Sequence, residues 1–248
     1  MTDTEPVLLL LHGLGANRHV WRGLERELAD RWPGECVAPD LPGHGEAPAL
    51  RHYSFGRMAA EVADSVAGRD HVAVLGHSLG GALALTLASG WFGVGVSAVC
   101  GLGIKLRWSA EELAKAAQVA ARPPRVLPDR AEAANRWLRG AGLTGLVDEN
   151  GPEVAAGIAE TEGGWRLTVD QRAFGVGAPD MTGLLAACRA RVVLAAGESD
   201  PMCPAAHLRE HVRDPVVLTG LGHNAHVQDP AALLPLLDRL GEAAKQAR

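Results

Sequence analysis

His71-Val72-Ala73-Val74-Leu75-Gly76-His77-Ser78-Leu79-Gly80-Gly81 is the stretch whose reading decides the fold. His71 to Leu75 is a short, almost unbroken apolar run, the pattern of a strand buried on both faces. The residues after Gly81 predict a helix to about Ser89. Between the two, Gly76-His77-Ser78-Leu79-Gly80 fits G-x-S-x-G, a sharp strand-to-helix turn. Glycines two residues to either side of Ser78 leave room for close backbone approach. The hydroxyl then projects at the carboxyl end of the sheet, where open α/β folds hold their ligands. It also lies at a helix N-terminus, whose dipole favours developing negative charge. Taken alone, the pattern also fits a glycine-rich turn with an idle serine.

Working outward, Val7 to Leu11 is a second continuous apolar run, ending at His12-Gly13. A helical pattern over Val20 to Arg31 puts Trp21, Leu24 and Leu28 on one face. Cys36-Val37-Ala38 reads as a strand running into the turn-rich loop Asp40-Leu41-Pro42-Gly43-His44-Gly45. Ser54 caps a helix to about Ala67, and Val94 to Val99 is a further strand. Strand and helix alternate, which predicts a mainly parallel sheet with helices on both faces.

From Lys105 to Ala178 strand signals nearly vanish, and the segment reads as an all-helical insertion. Ser109-x-x-Glu112 is a capping box, and Pro123-Pro124 stops its helix. Asp129-x-x-Glu132 opens a second helix ending near Gly140, and Gly151-Pro152 opens a third. The insertion holds Trp108, Trp137 and Trp165, half of the six tryptophans. Alternation then resumes: Asp180 caps a short helix to about Cys188, Arg191 to Ala196 is a strand before Gly197-Glu198-Ser199-Asp200, and Val216 to Thr219 is the last strand, before Gly220-Leu221-Gly222-His223. Asp229-Pro230 starts a helix that runs to near the end.

The bulk numbers agree. A chain of 248 residues, 47% hydrophobic and 21% charged, suits one large α/β domain with a modest insertion, and disorder is excluded for its bulk. That size buries a core without disulfides or metals. A net charge of −5 argues against a basic nucleic-acid patch and against electrostatic docking on a membrane. Cys36, Cys100, Cys188 and Cys203 are far apart in sequence and read as free thiols of a reducing compartment. Met1 to Pro6 is acidic and polar, unlike a signal peptide, so a cytoplasmic protein is expected. Leu79 to Ile104 carries no charge, but its glycines read as a buried helix, a turn and a buried strand rather than a membrane span. No HExxH, strand-following GxGxxG or GxxxxGK[ST] is present, so no metal or other cofactor is expected.

A serine is a weak nucleophile. It needs a base, and the base needs an orienting carboxylate. Asp200 follows one late strand and His223 the next, in the chain order Ser78, Asp200, His223. His226 is the rival base; Glu198 and Asp229 are the rival carboxylates. The loop His12-Gly13-Leu14-Gly15 is placed to offer a backbone N–H to an oxyanion, with the N–H of Leu79 as the second donor. His12 and His77 flank the crevice by sequence, and the cap tryptophans are further candidates for the pocket wall. Cys203 reads as a bystander.

With these pieces in place, the chain resembles the α/β-hydrolase superfamily. The motifs are His12-Gly13-Leu14-Gly15, Asp40 to Gly45, Gly76 to Gly81, Gly197 to Asp200, and Gly222-His223 with Asp229-Pro230. The resemblance implies the α/β-hydrolase fold without its first two strands, with 1–104 and 179–248 as core and 105–178 as a helical cap inserted after the sixth strand of the family pattern. Glu46 departs from the small residue that many relatives carry after Gly-His-Gly. The resemblance implies a cofactor-independent serine hydrolase of an ester, thioester or lactone. Its substrate would be small and moderately hydrophobic, in one form an acyl group linked to a carrier or to coenzyme A. Catalytic residues would be Ser78, Asp200 and His223, oxyanion donors Leu14 and Leu79, and pocket candidates His12, His77, Trp108, Trp137 and Trp165. The same triad also serves C–C hydrolysis, perhydrolysis and elimination, the last with some similarity to the menaquinone-pathway synthases. A non-catalytic ligand receptor of this fold is a further alternative. Neither nucleic-acid nor membrane partners are expected.

Overall fold

Five consecutive apolar side chains at Val7–Leu11 form β1, and all five are buried. They divide by alternation: Leu8 and Leu10 join one core, Leu9 and Leu11 the other. Only a sheet covered on both faces buries such a run. The computed structural model describes residues 6–29 and 31–246. The reading of the extreme N-terminus as a polar, non-signal segment therefore falls, up to residue 5, outside the described residues.

After β1 a 3-10 turn (Arg18–Trp21) leads into α1 (Arg22–Leu28), with β2 (Cys36–Val37) and α2 (Phe55–Asp64) following. Ser54 caps α2, its side chain accepting from the N–H of Arg57. β3 (Val72–His77), α3 (Leu79–Leu87) and β4 (Val96–Leu102) come next. The uncharged stretch Leu79–Ile104 is thus divided between a helix, a turn and a strand, and among the described residues no helix is long and apolar enough to cross a membrane.

Between β4 and the next sheet strand lie α4 (Ala110–Ala120), α5 (Arg130–Ala141), α6 (Pro152–Gly157), the short strands β5 (Ile158–Thr161) and β6 (Gly164–Leu167), and α7 (Met181–Ala187). The capping box at Ser109 and Glu112 has both of its hydrogen bonds. Asp129 and Asp180 cap α5 and α7, and Gly142 ends α5 in the left-handed conformation (φ +70°). The all-helical expectation for 105–178 is corrected here. β5 and β6 pair antiparallel around the two-residue loop Glu162-Gly163. Gly163, at φ +83°, supplies the conformation that favours glycine in such a loop. Leu127 extends the pairing by exchanging backbone hydrogen bonds with Trp165 at 2.7 and 2.8 Å.

β7 (Arg191–Gly197), α8 (Ala205–Arg209), β8 (Val216–Leu218), α9 (Ala225–Gln228) and α10 (Leu234–Gln246) complete the chain. The helix expected at Asp229-Pro230 opens as a 3-10 turn (Pro230–Leu233) before α10. The sheet has six strands in the order β2-β1-β3-β4-β7-β8, and every neighbouring pair is parallel. Core residues of α1 and α10 cover one face, and those of α2 and α3 the other. From β1 the chain steps to β2 on one side and then to β3 on the other. That reversal opens a crevice at the carboxyl ends of β1 and β3.

Candidate active site

Ser78 joins β3 to α3 at φ 51° and ψ −115°. Among the described residues it is the one non-glycine with positive φ. Such a conformation costs on the order of 1–3 kcal/mol and persists only where the surroundings enforce it. Here they do. The N–H of Ser78 donates to the carbonyl of Leu102 (2.9 Å), and its own carbonyl accepts from the N–H groups of Gly81 and Ala82 (3.0 and 3.2 Å). A Cβ at Gly76 would run into the carbonyl of Gly80, and one at Gly80 into that of Leu11. The two glycines are therefore a steric requirement of the turn.

Asp200 and His223 follow β7 and β8. His223 Nδ1 lies 2.9 Å from Asp200 Oδ2. Asp200 Oδ1 accepts from the N–H groups of Met202 (2.8 Å) and Cys203 (3.2 Å), and the residue is 4% exposed. A carboxylate so placed can only accept, so the proton of the neutral imidazole sits on Nδ1 and the lone pair on Nε2. Gly103, at φ +60°, makes room for the pair: a Cβ there would lie 3.1 Å from Asp200 Oδ2 and 3.4 Å from His223 Nδ1.

Ser78 and His223 line one cavity of about 390 Å³, whose walls include Leu14, Phe55, Leu79, Trp108, Phe174 and Met202. Lys105 and Arg139 also border it. The end of α5 borders the cavity as well and is tied to both neighbouring loops. Asn224 donates through its side-chain N–H to the carbonyl of Gly142 (2.9 Å), and a Cβ on Gly15 would lie 3.3 Å from the carbonyl of Gly140.

Of the five side chains expected on the pocket wall, Trp108 lines the cavity and the other four do not. His12 is fully buried. Its Nε2 accepts from the N–H of Leu41 (2.9 Å), which leaves Nδ1–H to donate to the carbonyl of Gly13 (2.8 Å). Burial, and then the neighbouring His44, push its pKa down to about 3. His77 is 3% exposed, and its Nε2–H donates to the backbone carbonyl of His223 (2.9 Å). Burial first, then His226 and His223, hold its pKa well below the usual histidine value. Trp137 sits on the inward face of α5 at 1% exposure, beside Ala133, Ala134 and Leu138, with its indole against Gly157. Trp165 is half-buried on β6 opposite Leu127.

The rival carboxylates have other partners. Glu198 accepts from the N–H of Gly220 (2.8 Å), and Asp229 from that of Ala232 (3.3 Å). His226 is 1% exposed and packs its ring 4.5 Å from Trp21. The four cysteines are free thiols. Burial, and then Asp200, push the Cys203 thiol up to about 12, so what Cys203 offers the site is its backbone N–H. Among the described residues no cluster of three or more His, Cys, Asp or Glu side chains is arranged to hold a metal ion.

Phe55, Phe174, Lys105, Arg139, Gly103 and Asn224 went unread in the sequence. They come from five separate segments of the chain, Gly103 and Lys105 sharing the one after β4, and only the folded arrangement gathers them. Gly103 alone had a local signal, as a glycine at the end of a strand.

The family model described as "Alpha/beta hydrolase family" matches residues 8–236. The chain is similar to a pimeloyl-[acyl-carrier protein] methyl ester esterase of Neisseria meningitidis serogroup B, at 44% identity over 90 residues, covering 36% of this chain and 33% of that protein. The chain spans about a quarter to a third of the length of the curated relatives it matches. Among solved structures, the thioesterase domain from the curacin biosynthetic pathway superposes with a TM-score of 0.75 at 23% identity, covering 94% of this chain and 91% of that one. E-2-(acetamidomethylene)succinate hydrolase superposes at 0.79 and 22% identity, covering 96% and 91%.

Proposed function

This chain belongs to the α/β-hydrolase family, and from that premise we propose that it is a cofactor-independent serine hydrolase of esters or thioesters. The observation that carries the reading is a shared cavity: Ser78, on its strained turn, borders the same space as His223, which Asp200 holds by a 2.9 Å hydrogen bond. His223 Nε2 takes the proton of Ser78 Oγ as that oxygen attacks the acyl carbon. The N–H groups of Leu14 and Leu79 receive the oxyanion. The proton on Nε2 passes to the departing alcohol or thiol. A water then loses its proton to Nε2, attacks the acyl-enzyme and releases the acid, returning the proton to Ser78. Asp200 keeps Nδ1 protonated and stabilises the imidazolium as it forms.

The apolar walls favour a moderately hydrophobic acyl or alcohol group. An acyl group carried on a protein or on coenzyme A is a substrate form within this reading. In it, residues 105–178 act as a cap over the site, a role supported by the contacts of Gly140 and Gly142 with the loops of Gly15 and Asn224.

Labelling with a fluorophosphonate, followed by peptide mass spectrometry, tests the reading. The expected result is a modified Ser78, no labelling of Ser78→Ala, and a fall of at least about 10³-fold in the variant's turnover of a nitrophenyl ester. Near-normal turnover by Ser78→Ala would overturn it.

A further inference from the structure

His77 stays out of the cavity yet meets the two loops that flank Ser78. Its Nε2–H reaches the backbone carbonyl of His223 at 2.9 Å, and the two rings lie 4.6 Å apart between centroids. On its other edge, Nδ1 is so close to Gly13 that a Cβ there would lie 2.8 Å from it and 3.4 Å from the Cβ of Ser78. The ring of His226 closes a third side at 4.4 Å. A backbone carbonyl can only accept, so the proton of this neutral ring sits on Nε2. An apolar ring would fill the same space, but it could not grip the His223 carbonyl.

We infer that His77 is a positioning residue: through its Nε2–H bond to the His223 carbonyl and its contact with Gly13, it fixes the base-bearing loop against the oxyanion-bearing loop on either side of Ser78. The inference rests on the serine-hydrolase reading above. A base or an oxyanion donor displaced by a fraction of an ångström weakens catalysis while leaving the binding walls in place. The effect therefore belongs in kcat and not in KM.

Three variants test it on a nitrophenyl ester, each with its melting temperature measured. His77→Phe keeps the ring and loses the donor; it is expected to lower kcat about 10- to 100-fold with KM within about twofold. His77→Gln places an amide N–H near the position of Nε2 and is expected to recover most of that loss. His77→Asn reaches only the position of Nδ1 and is expected to recover little. If His77→Phe does not fold, the Gln and Asn pair carries the test. Equal kcat in the Gln variant and in the Phe or Asn variant overturns the inference, as does a change in KM with kcat untouched. Wild type and Ser78→Ala run beside them separate the two levels. Ser78-dependent turnover that is indifferent to His77 overturns this inference alone; turnover that does not depend on Ser78 overturns the hydrolase reading and this inference with it.

Discussion

At the scale of the residue, Asp200 shows how a proton is assigned by its neighbours. Two backbone N–H groups occupy Oδ1, so Oδ2 is the oxygen left for His223. In Asp200→Asn the amide oxygen takes the two N–H groups, and the NH₂ group then faces Nδ1. Nδ1 has to accept, which moves the ring proton to Nε2 and removes the base. The variant is expected to fold normally and to lose on the order of 10³- to 10⁴-fold in kcat. A steady-state assay returning more than a tenth of wild-type kcat would contradict this. That Ser78, Asp200 and His223 follow strands of one sheet was legible in the sequence, because each comes after an apolar run. The space left by Gly103 was not, since it depends on how β4, β7 and β8 lie side by side; the turn that binds Asp200 to Met202 and Cys203 acts within three residues and went unread. His12 and His77 were legible as neighbours of the crevice but not as residues that face away from it. A buried ring held by hydrogen bonds to the backbone has no signature in one sequence.

At the scale of the element, α4 depends on its ends. None of its residues is fully buried; Leu113, Ala116, Val119 and Ala120 are half-buried, so its caps carry more of its stability than in a core helix. Its first turn is held by the reciprocal bonds of Ser109 and Glu112, and Glu112 also pairs with Lys105, which holds the Glu112 carboxyl down at about 2. Removing the cap in Ser109→Ala is expected to cost about 1 kcal/mol locally. Hydrogen exchange then reports it as severalfold faster exchange of the α4 amides, with those of β1 and β3 unchanged. Uniform acceleration throughout, or none in α4, would contradict the assignment. Caps of this kind were readable at Ser54, Ser109, Asp129 and Asp180 because a side-chain oxygen acts within three residues. The β5–β6 hairpin was not readable. Its strands have four residues each, α6 runs into β5 without a break, and part of its pairing comes from Leu127, distant in sequence. The short helices α8 and α9 carried too few residues to show a period.

At the scale of the whole molecule, four buried histidines tie stability to pH. Burial pushes His12 and His226 down to about 3, lowers His44, and lowers His77 further. Each is neutral when folded but binds a proton near pH 6.5 when unfolded. Their folded values lie below the unfolded ones, and the depressed form is the charged form of a base. Their contribution to stability is therefore fully present above about pH 6.5 and is lost as pH falls below it, for His12 and His226 by about 1.4 kcal/mol per pH unit each down to about pH 3. Urea midpoints are expected to drop clearly between pH 7.5 and pH 5.0, and equal midpoints would overturn the account. The parallel pairing of β4 with β7 has a different consequence, one on an evolutionary timescale. Ala98 registers with Arg191 across everything that lies between them. The entropy of closing such a loop grows only with the logarithm of its length, about 0.6 kcal/mol for each doubling. The segment between these strands can thus lengthen or shorten over generations at little entropic cost, while the register of the strands stays as it is.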